Sequence, residues 1–173
     1  MSQKYLVTFG GPTENFHYAV NRICNETEQL KVFDKIIGYT EKDLMNDTDF
    51  WEKHGNFITN NARGYGYWIW KSYLTLKTMS EMNDNDILVY ADAGCSINLN
   101  GKNRLLEYFD IVNNSKFGIL SFIQYVSFFT LLFSNIPAVS KIFLSPLALV
   151  FNSLALPAIK ENASSSNSRS EER

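Results

Sequence analysis

The sequence predicts an α/β fold of three layers, with helices on both faces of a sheet. Short apolar runs rich in β-branched and aromatic residues, such as Tyr5–Phe9 and Ile87–Tyr90, are typical of buried strands. Between them lie longer segments whose apolar residues recur every three or four positions, as in amphipathic helices. This alternation over residues 1–122 indicates strands joined by helical crossovers, which is the connectivity of a largely parallel sheet.

The first elements are a strand, a helix and a second strand. Tyr5–Phe9 reads YLVTF and ends at the turn Gly10-Gly11-Pro12, which predicts a strand closed by a tight turn. From Asn15 the apolar residues fall near one face of a helix. Val32–Tyr39 is the second predicted strand. The acidic segment after Thr40 is interpreted as a solvated loop or short helix, with a metal-binding cluster as the alternative.

The strongest helix signal covers Tyr67–Met82, where apolar residues form a stripe of period three to four. This helix is predicted to end at the polar turn Asn83–Asp86, and Ile87–Tyr90 is the next strand. A helix over Arg104–Val112 and a strand over Lys116–Phe122 complete the predicted domain, which spans residues 1–122.

Charge and cysteine usage limit the class of protein. The chain has 173 residues, a formal net charge of −2 and a sequence pI of about 5.7. Nucleic-acid-binding domains carry a basic patch or stripe, so we expect no nucleic-acid partner. Cys24 and Cys95 lie in unrelated contexts and in no metal-binding spacing, which predicts reduced thiols and a cytoplasmic protein.

The C-terminal third differs from the rest in composition. From Phe117 to Ile159 the only charged residue is Lys141. The apolar runs on either side of it are long enough to cross a bilayer, so a membrane hairpin on the cytoplasmic face is one interpretation of residues 123–160. The other, favoured by the abrupt change in composition, is a frameshifted or otherwise aberrant segment that leaves the sheet incomplete. Residues 161–173 are polar and of low complexity, and we expect them to be disordered.

Asp92 is the most specific candidate for chemistry. It follows the strand Ile87–Tyr90 within Ala91-Asp92-Ala93-Gly94, where small neighbours let a ligand approach the backbone. A carboxylate at the end of a buried strand could bind Mn²⁺ or Mg²⁺ that also holds a diphosphate. The alternative is an aspartate that only caps the following turn.

The segment before this strand supplies a cation and aromatic faces. Lys71 lies near the start of its predicted helix, where it could neutralise a phosphate together with the positive end of the helix. An ordinary exposed lysine is the alternative. Tyr65, Tyr67, Trp68 and Trp70 offer surfaces on which a base or sugar could stack, although one or two of them must anchor the core.

Several of these segments resemble a known family. The stretches FDKIIGYTEKDL, RGYGYWIWKSYLTLKTM and NDNDILVYADAGCSIN are similar to those of a family of capsule- and virus-associated glycosyltransferases. Members of that family resemble the A-type nucleotide-diphospho-sugar transferases. The resemblance covers roughly residues 3–122, and GYGYWIWK and YADAGC are its most specific parts.

The resemblance implies a fold of the A-type glycosyltransferase class and transfer of a sugar from a nucleotide-diphosphate donor to a glycan or lipid-linked acceptor, as in polysaccharide biosynthesis. It also implies that the first strand and its loop line the nucleotide pocket, that the end of the second strand flanks the base, and that Asp92 occupies the place of the metal motif. The candidate donor-binding residues are Thr8, Phe9, Gly10, Tyr39, Arg63, Gly64, Tyr65, Gly66, Trp70, Lys71, Ala91 and Gly94.

The sequence departs from the pattern of the wider fold in two places. Gly94 stands where a second metal-binding aspartate is expected, which puts the Mn²⁺ or Mg²⁺ requirement in doubt. Between Phe122 and Glu161 there is no Asp, Glu or His, so this part of the sequence offers no candidate for the catalytic base. Two other functions therefore stay open: a truncated domain that binds a nucleotide sugar without turnover, and a membrane-anchored protein without enzymatic activity.

Overall fold

The computed structural model describes residues 2–121 and the backbone of residues 148–152. They form a five-stranded sheet in the order β2-β1-β3-β5-β4. Strand β1 runs parallel to β2 and β3, whereas β5 is antiparallel to its neighbours β3 and β4. The strands are β1 (Lys4–Phe9), β2 (Lys35–Tyr39), β3 (Ile87–Ala91), β4 (Ile119–Ser121) and β5 (Ala148–Asn152). The predicted α/β class is confirmed.

Helices connect these strands. They are α1 (Glu14–Leu30), α2 (Glu41–Asn46), α3 (Thr48–Asn60), α4 (Gly64–Tyr67), α5 (Ile69–Ser80) and α6 (Lys102–Asn114), with a short 3₁₀ turn at Leu99–Gly101. The acidic segment after Thr40 forms α2 and α3, and two of its aspartates, Asp43 and Asp47, cap the N-termini of these helices. Asp43 and Thr40 make a reciprocal capping box, and the Asp47 carboxylate accepts a hydrogen bond from the Phe50 N–H.

Two apolar clusters cover the two faces of the sheet. Successive side chains of a strand point to opposite faces, so Val7 and Phe9 join one cluster while Leu6 joins the other. The first cluster packs against residues of α3 and α5, among them Phe50, Ile58, Trp70 and Leu74. The second packs against Phe109 and Val112 of α6. Burial of both faces explains why β1 and β3 are almost uninterrupted apolar runs.

The C-terminal expectations fall almost entirely outside the described residues. Strand β5 is the exception, since residues 148–152 pair with β3 and β4. The predictions of a membrane hairpin or aberrant segment over the remainder of 123–160, and of a disordered end over 161–173, concern residues that the structure does not describe. Within the described ranges, no helix combines the length and apolar character needed to cross a membrane.

A charged network fixes α3 to α5. Asp47, at the start of α3, pairs with the Lys77 ammonium and accepts a hydrogen bond of 2.7 Å from the Tyr73 hydroxyl. The hydrogen bonds from Lys77 and Tyr73 lower the pKa of Asp47 to about 2. Burial, together with the bond to Asp47, raises the pKa of Tyr73 to about 12. The network therefore stabilises the helix pair only while Asp47 is ionised.

This network predicts a pH-dependent part of the stability. A carboxyl whose pKa is lower in the folded state stabilises the fold above its unfolded pKa and loses that contribution as the pH falls through the folded value. Between about pH 4 and pH 2 we expect the free energy of unfolding to fall by on the order of 1–2 kcal/mol more in the native chain than in Asp47→Asn. Urea denaturation across this range measures it.

The matched control is Asp49→Asn, which changes an exposed aspartate in the first turn of the same helix. This variant should follow the pH profile of the native chain, because the Asp49 side chain is exposed and acts on the network only through its charge on Tyr73, which stays protonated across this range. Parallel pH profiles for Asp47→Asn and the native chain would contradict the proposed role of the network.

Candidate functional site

The parallel pairing of β1 and β3 brings the two predicted loops to one edge of the sheet. Their register pairs Val7 with Tyr90, so both strands end at the same level. The ends lead into Gly10-Gly11 and into Asp92, and they border a cavity of about 320 Å³. The lining residues are Phe9, Gly10, Gly11, Pro12, Phe16, Ala62, Gly64, Tyr65, Trp68, Trp70, Asp92, Ala93 and Gly94. Ligands of open α/β sheets bind at such carboxyl edges.

One wall of the cavity is a left-handed turn. All five residues of Gly64–Trp68 have φ between +50° and +80°, and the Trp68 N–H donates to the Gly64 carbonyl at 3.0 Å. Each non-glycine residue in this conformation costs roughly 1–2 kcal/mol. Gly66 cannot be replaced without movement, because a Cβ there would lie 2.6 Å from Ile58 Cγ1. The turn delays the start of α5 to Ile69, two residues after the predicted start.

Stacked rings form the floor of the cavity. The rings of Phe9 and Trp70 lie 3.9 Å apart between centroids, with 30° between their planes. The indole N–H of Trp70 donates to the Gly64 carbonyl at 3.1 Å, which attaches the left-handed turn to the floor. Both rings are 5% exposed, whereas Trp68 and Phe16 at the cavity are 47% and 52% exposed. The latter two rings are therefore the faces that a ligand can reach.

A lysine–aspartate pair borders the cavity. Tyr90 and Asp92 are two residues apart in extended chain, so both side chains meet α5 on the same face of the sheet. Lys71 Nζ lies 2.8 Å from Asp92 Oδ1, and the Tyr90 hydroxyl donates to the same oxygen at 2.7 Å. Burial raises the pKa of Tyr90 well above its usual value, and the Asp92 charge raises it further. Tyr90 is thus a permanent donor to Asp92.

Arg22 of α1 holds the turn that follows Asp92. Its guanidinium donates to the carbonyls of Ala93 at 2.9 Å and Cys95 at 2.7 Å. It also pairs with Glu26, whose carboxylate accepts the Ile97 N–H at 2.9 Å. Burial alone would raise the pKa of Glu26, but the bonds from Ile97 and Arg22 lower it overall. Two charged side chains of α1, a helix distant in sequence, therefore fix this turn.

A second carboxylate lies behind the cavity wall. Glu41 is 8% exposed, and its Oε2 lies 2.7 Å from His17 Nε2. A Cβ on Gly11 would lie 2.5 Å from the same Oε2, so the carboxylate sits against the Gly10-Gly11 turn. Burial and, less strongly, the Glu41 charge raise the pKa of Tyr65, whose buried hydroxyl has no hydrogen-bond partner among the described residues.

The structure brings together most, but not all, of the predicted site residues. Those that line the cavity are Phe9, Gly10, Gly64, Tyr65, Trp70, Asp92 and Gly94, and Lys71 lies outside the lining but is paired with Asp92.

The remaining predicted residues lie elsewhere. Thr8 is fully buried on the α1 face beside Gly38, and Ala91 is buried in β3. Gly66 packs against Ile58. The Tyr39 hydroxyl contacts Thr78 Oγ1 at 3.1 Å, and Arg63 is exposed ahead of α4 without lining the cavity.

Sequence reasoning missed several contributors. Pro12, Phe16 and Ala62 line the cavity, and Arg22 fixes its turn. Pro12 and Phe16 could have been predicted, because Pro12 belongs to the predicted turn Gly10-Gly11-Pro12 and Phe16 lies at the start of the helix that follows it. Arg22 gave none, since an arginine on the polar face of a helix looks like any surface residue.

The described residues form no complete ligand cage for a divalent cation. Mg²⁺ at phosphate sites is held by one or two carboxylates together with the phosphates and water, and no group of three His, Cys, Asp or Glu side chains comes together in residues 2–121. Asp92 is the one carboxylate among the lining residues, and its Oδ1 already holds the Lys71 ammonium. The Mn²⁺ or Mg²⁺ expected from the resemblance stays a prediction.

No protein-family model, curated protein or solved structure matches this chain. The class of protein that the structure establishes is thus an α/β domain with an aromatic cavity at the carboxyl edge of its parallel strands. The residues of this cavity carry the evidence for a more particular function.

Arg22→Ala tests the support of the Asp92 turn. We expect a loss of about 1–3 kcal/mol in the free energy of unfolding, because two charge-assisted hydrogen bonds and the partner of Glu26 are removed. Hydrogen exchange should quicken at the amides of residues 93–97, with protection of β1 and β3 retained. Arg104→Ala is the control, since its pair with Glu107 is exposed and its loss should leave the stability nearly unchanged. Unchanged exchange at residues 93–97 would contradict the role of Arg22.

Proposed function

We propose that the domain binds a nucleotide-diphosphate sugar in this cavity and transfers the sugar to a glycan or lipid-linked acceptor. The cavity volume of about 320 Å³ lies within the range of small-molecule sites. Its place at the ends of β1 and β3 is where α/β folds commonly bind nucleotides. The A-type glycosyltransferase fold is part of this proposal, which the motif resemblance of residues 3–122 also supports.

The observation that carries the proposal is the combination of aromatic faces with one anchored cation. A nucleotide-diphosphate sugar has a flat base and sugar rings at its ends and a doubly charged diphosphate between them. Trp68 and Phe16 offer exposed rings for the flat parts, and stacking of a base on an aromatic ring is worth roughly 1–3 kcal/mol. Lys71, held by Asp92, offers the charge for the diphosphate.

The proposed chemistry requires charge stabilisation at the leaving group. The acceptor oxygen forms the new bond to the anomeric carbon as the bond to the diphosphate breaks, the hydroxyl proton leaves to solvent or to the released diphosphate, and negative charge develops on the diphosphate oxygen. Lys71 would stabilise this charge, as fixed cations do at other developing oxyanions. The first N–H groups of α5, which begins at Ile69, would add the positive end of the helix.

A second candidate is a domain that binds the nucleotide sugar without turning it over. Transfer needs a base within hydrogen-bond reach of the acceptor hydroxyl. Of the described residues that line the cavity, Asp92 alone carries a carboxylate, and Lys71 and Tyr90 already occupy it. Release of nucleoside diphosphate from the donor in the presence of acceptor separates an active transferase from this alternative.

The proposal predicts selective stabilisation by nucleotide-diphosphate sugars. In a thermal-unfolding panel of UDP-, GDP-, dTDP- and CMP-sugars, one of the three diphosphate donors should stabilise the fold by about 2–3 kcal/mol at 100 times its Kd. The CMP-sugar, with a single phosphate, should have a smaller effect. Lys71→Met should weaken the Kd of the selected donor at least about tenfold, which is 1.4 kcal/mol.

The control is Lys53→Met, which changes an exposed lysine of α3 outside the cavity lining. Its Kd for the donor should equal that of the native chain. A cooperative unfolding transition that no nucleotide sugar shifts would contradict the proposed function, whereas native affinity in Lys71→Met would contradict the role assigned to Lys71.

A further inference from the structure

We propose that the Lys71 ammonium, anchored by Asp92, takes the place of a divalent cation, so that donor binding needs no metal ion. The inference rests on the proposed function, because it concerns the charge that meets the diphosphate in the same cavity. The charge that meets the diphosphate is then built into the chain and is not supplied by a bound metal.

The ligand set argues against a metal at this place. Asp92 is the lone carboxylate of the described cavity lining, and position 94, where a second ligand would stand, is glycine. The Glu41 carboxylate is held by His17 behind the Gly10-Gly11 turn. A divalent cation would therefore find one protein carboxylate here, and it would depend on the diphosphate and on water for its other ligands.

The position next to Asp92 is already filled by a cation. Lys71 Nζ lies 2.8 Å from Asp92 Oδ1, and the side chains of both residues are largely shielded, with exposures of 21% and 27%. The ammonium also lies 5.1 Å from the ring centroid of Tyr90 and 5.9 Å from that of Trp70. Aromatic faces attract cations at such distances. A metal ion at Asp92 would have to displace this ammonium or lie beside it, with strong mutual repulsion.

The anchored Lys71 ammonium retains N–H groups that can donate hydrogen bonds to a ligand. An ammonium has three N–H groups, and the pair with Asp92 uses one. Tyr90 holds the Asp92 carboxylate from the buried side, so the lysine is fixed before a ligand arrives. Fixing a charged group in advance lowers the entropy lost on binding. The arrangement therefore suits a diphosphate bound beside Asp92.

Calorimetric titration of the full chain tests the inference. The probe is the nucleoside diphosphate of the donor selected by thermal unfolding, titrated once with EDTA and once with excess Mn²⁺ or Mg²⁺. We expect the two Kd values to agree within about twofold, a difference small against the tenfold that corresponds to 1.4 kcal/mol. A Kd that EDTA weakens tenfold or more would overturn the inference and leave the proposed function standing.

Two variants identify the cation. Lys71→Met should weaken metal-free binding at least about tenfold, and Lys71→Arg, which keeps the charge, should recover part of the loss. Metal-free binding that survives Lys71→Met would also overturn the inference. Electron paramagnetic resonance of Mn²⁺ gives a readout independent of the nucleotide, and the native chain should leave the spectrum of free Mn²⁺ unchanged. If no nucleoside diphosphate binds with or without metal, both this inference and the proposed function fail.

Discussion

The parallel pairing of β1 with β3 is the constraint on which the site depends. Because the two strands run in the same direction and end at the same level, the Gly10-Gly11 turn and Asp92 meet at one edge of the sheet. The period of two along each strand then decides which side chains can act together. Phe9 shares a face with Tyr90 and Asp92, and α5 covers that face with Trp70 and Lys71. The aromatic floor and the ion pair follow from this one register.

The strained turn at Gly64–Trp68 is retained because its neighbours hold it. Three of its five residues are not glycine, and each of these costs roughly 1–2 kcal/mol in the left-handed region. Burial of Trp70, its ring contact with Phe9 and its hydrogen bond to Gly64 offset that cost. Strain of this kind concentrates at ligand sites, and here it presents Tyr65 and Trp68 to the cavity. A regular helix through these residues would direct their side chains elsewhere.

Local sequence patterns predicted the helices and strands and the candidate residues Asp92 and Lys71. The other features of the site depend on contacts between residues that are distant in sequence. Asp92 and Lys71 could be found because Asp92 follows a strongly patterned strand and Lys71 lies near the start of a strongly patterned helix. The strand period could also have excluded Thr8, which faces α1 while Phe9 faces the cavity. The late start of α5 could not be predicted, since helix propensity carries no signal for a left-handed turn. Arg22 was beyond reach too, because its role depends on how α1 lies against the turn after β3.

The most direct measurement of the central claim is a crystal structure of the chain with a nucleoside diphosphate, grown in the presence of a chelator. The account predicts the diphosphate within hydrogen-bond distance of Lys71 Nζ, with Lys71 still paired to Asp92. It also predicts the base or ribose against Trp68 or Phe16 at the mouth of the cavity. A nucleotide bound elsewhere on the molecule, or a nucleotide in the cavity with Lys71 turned away from the diphosphate, would contradict it.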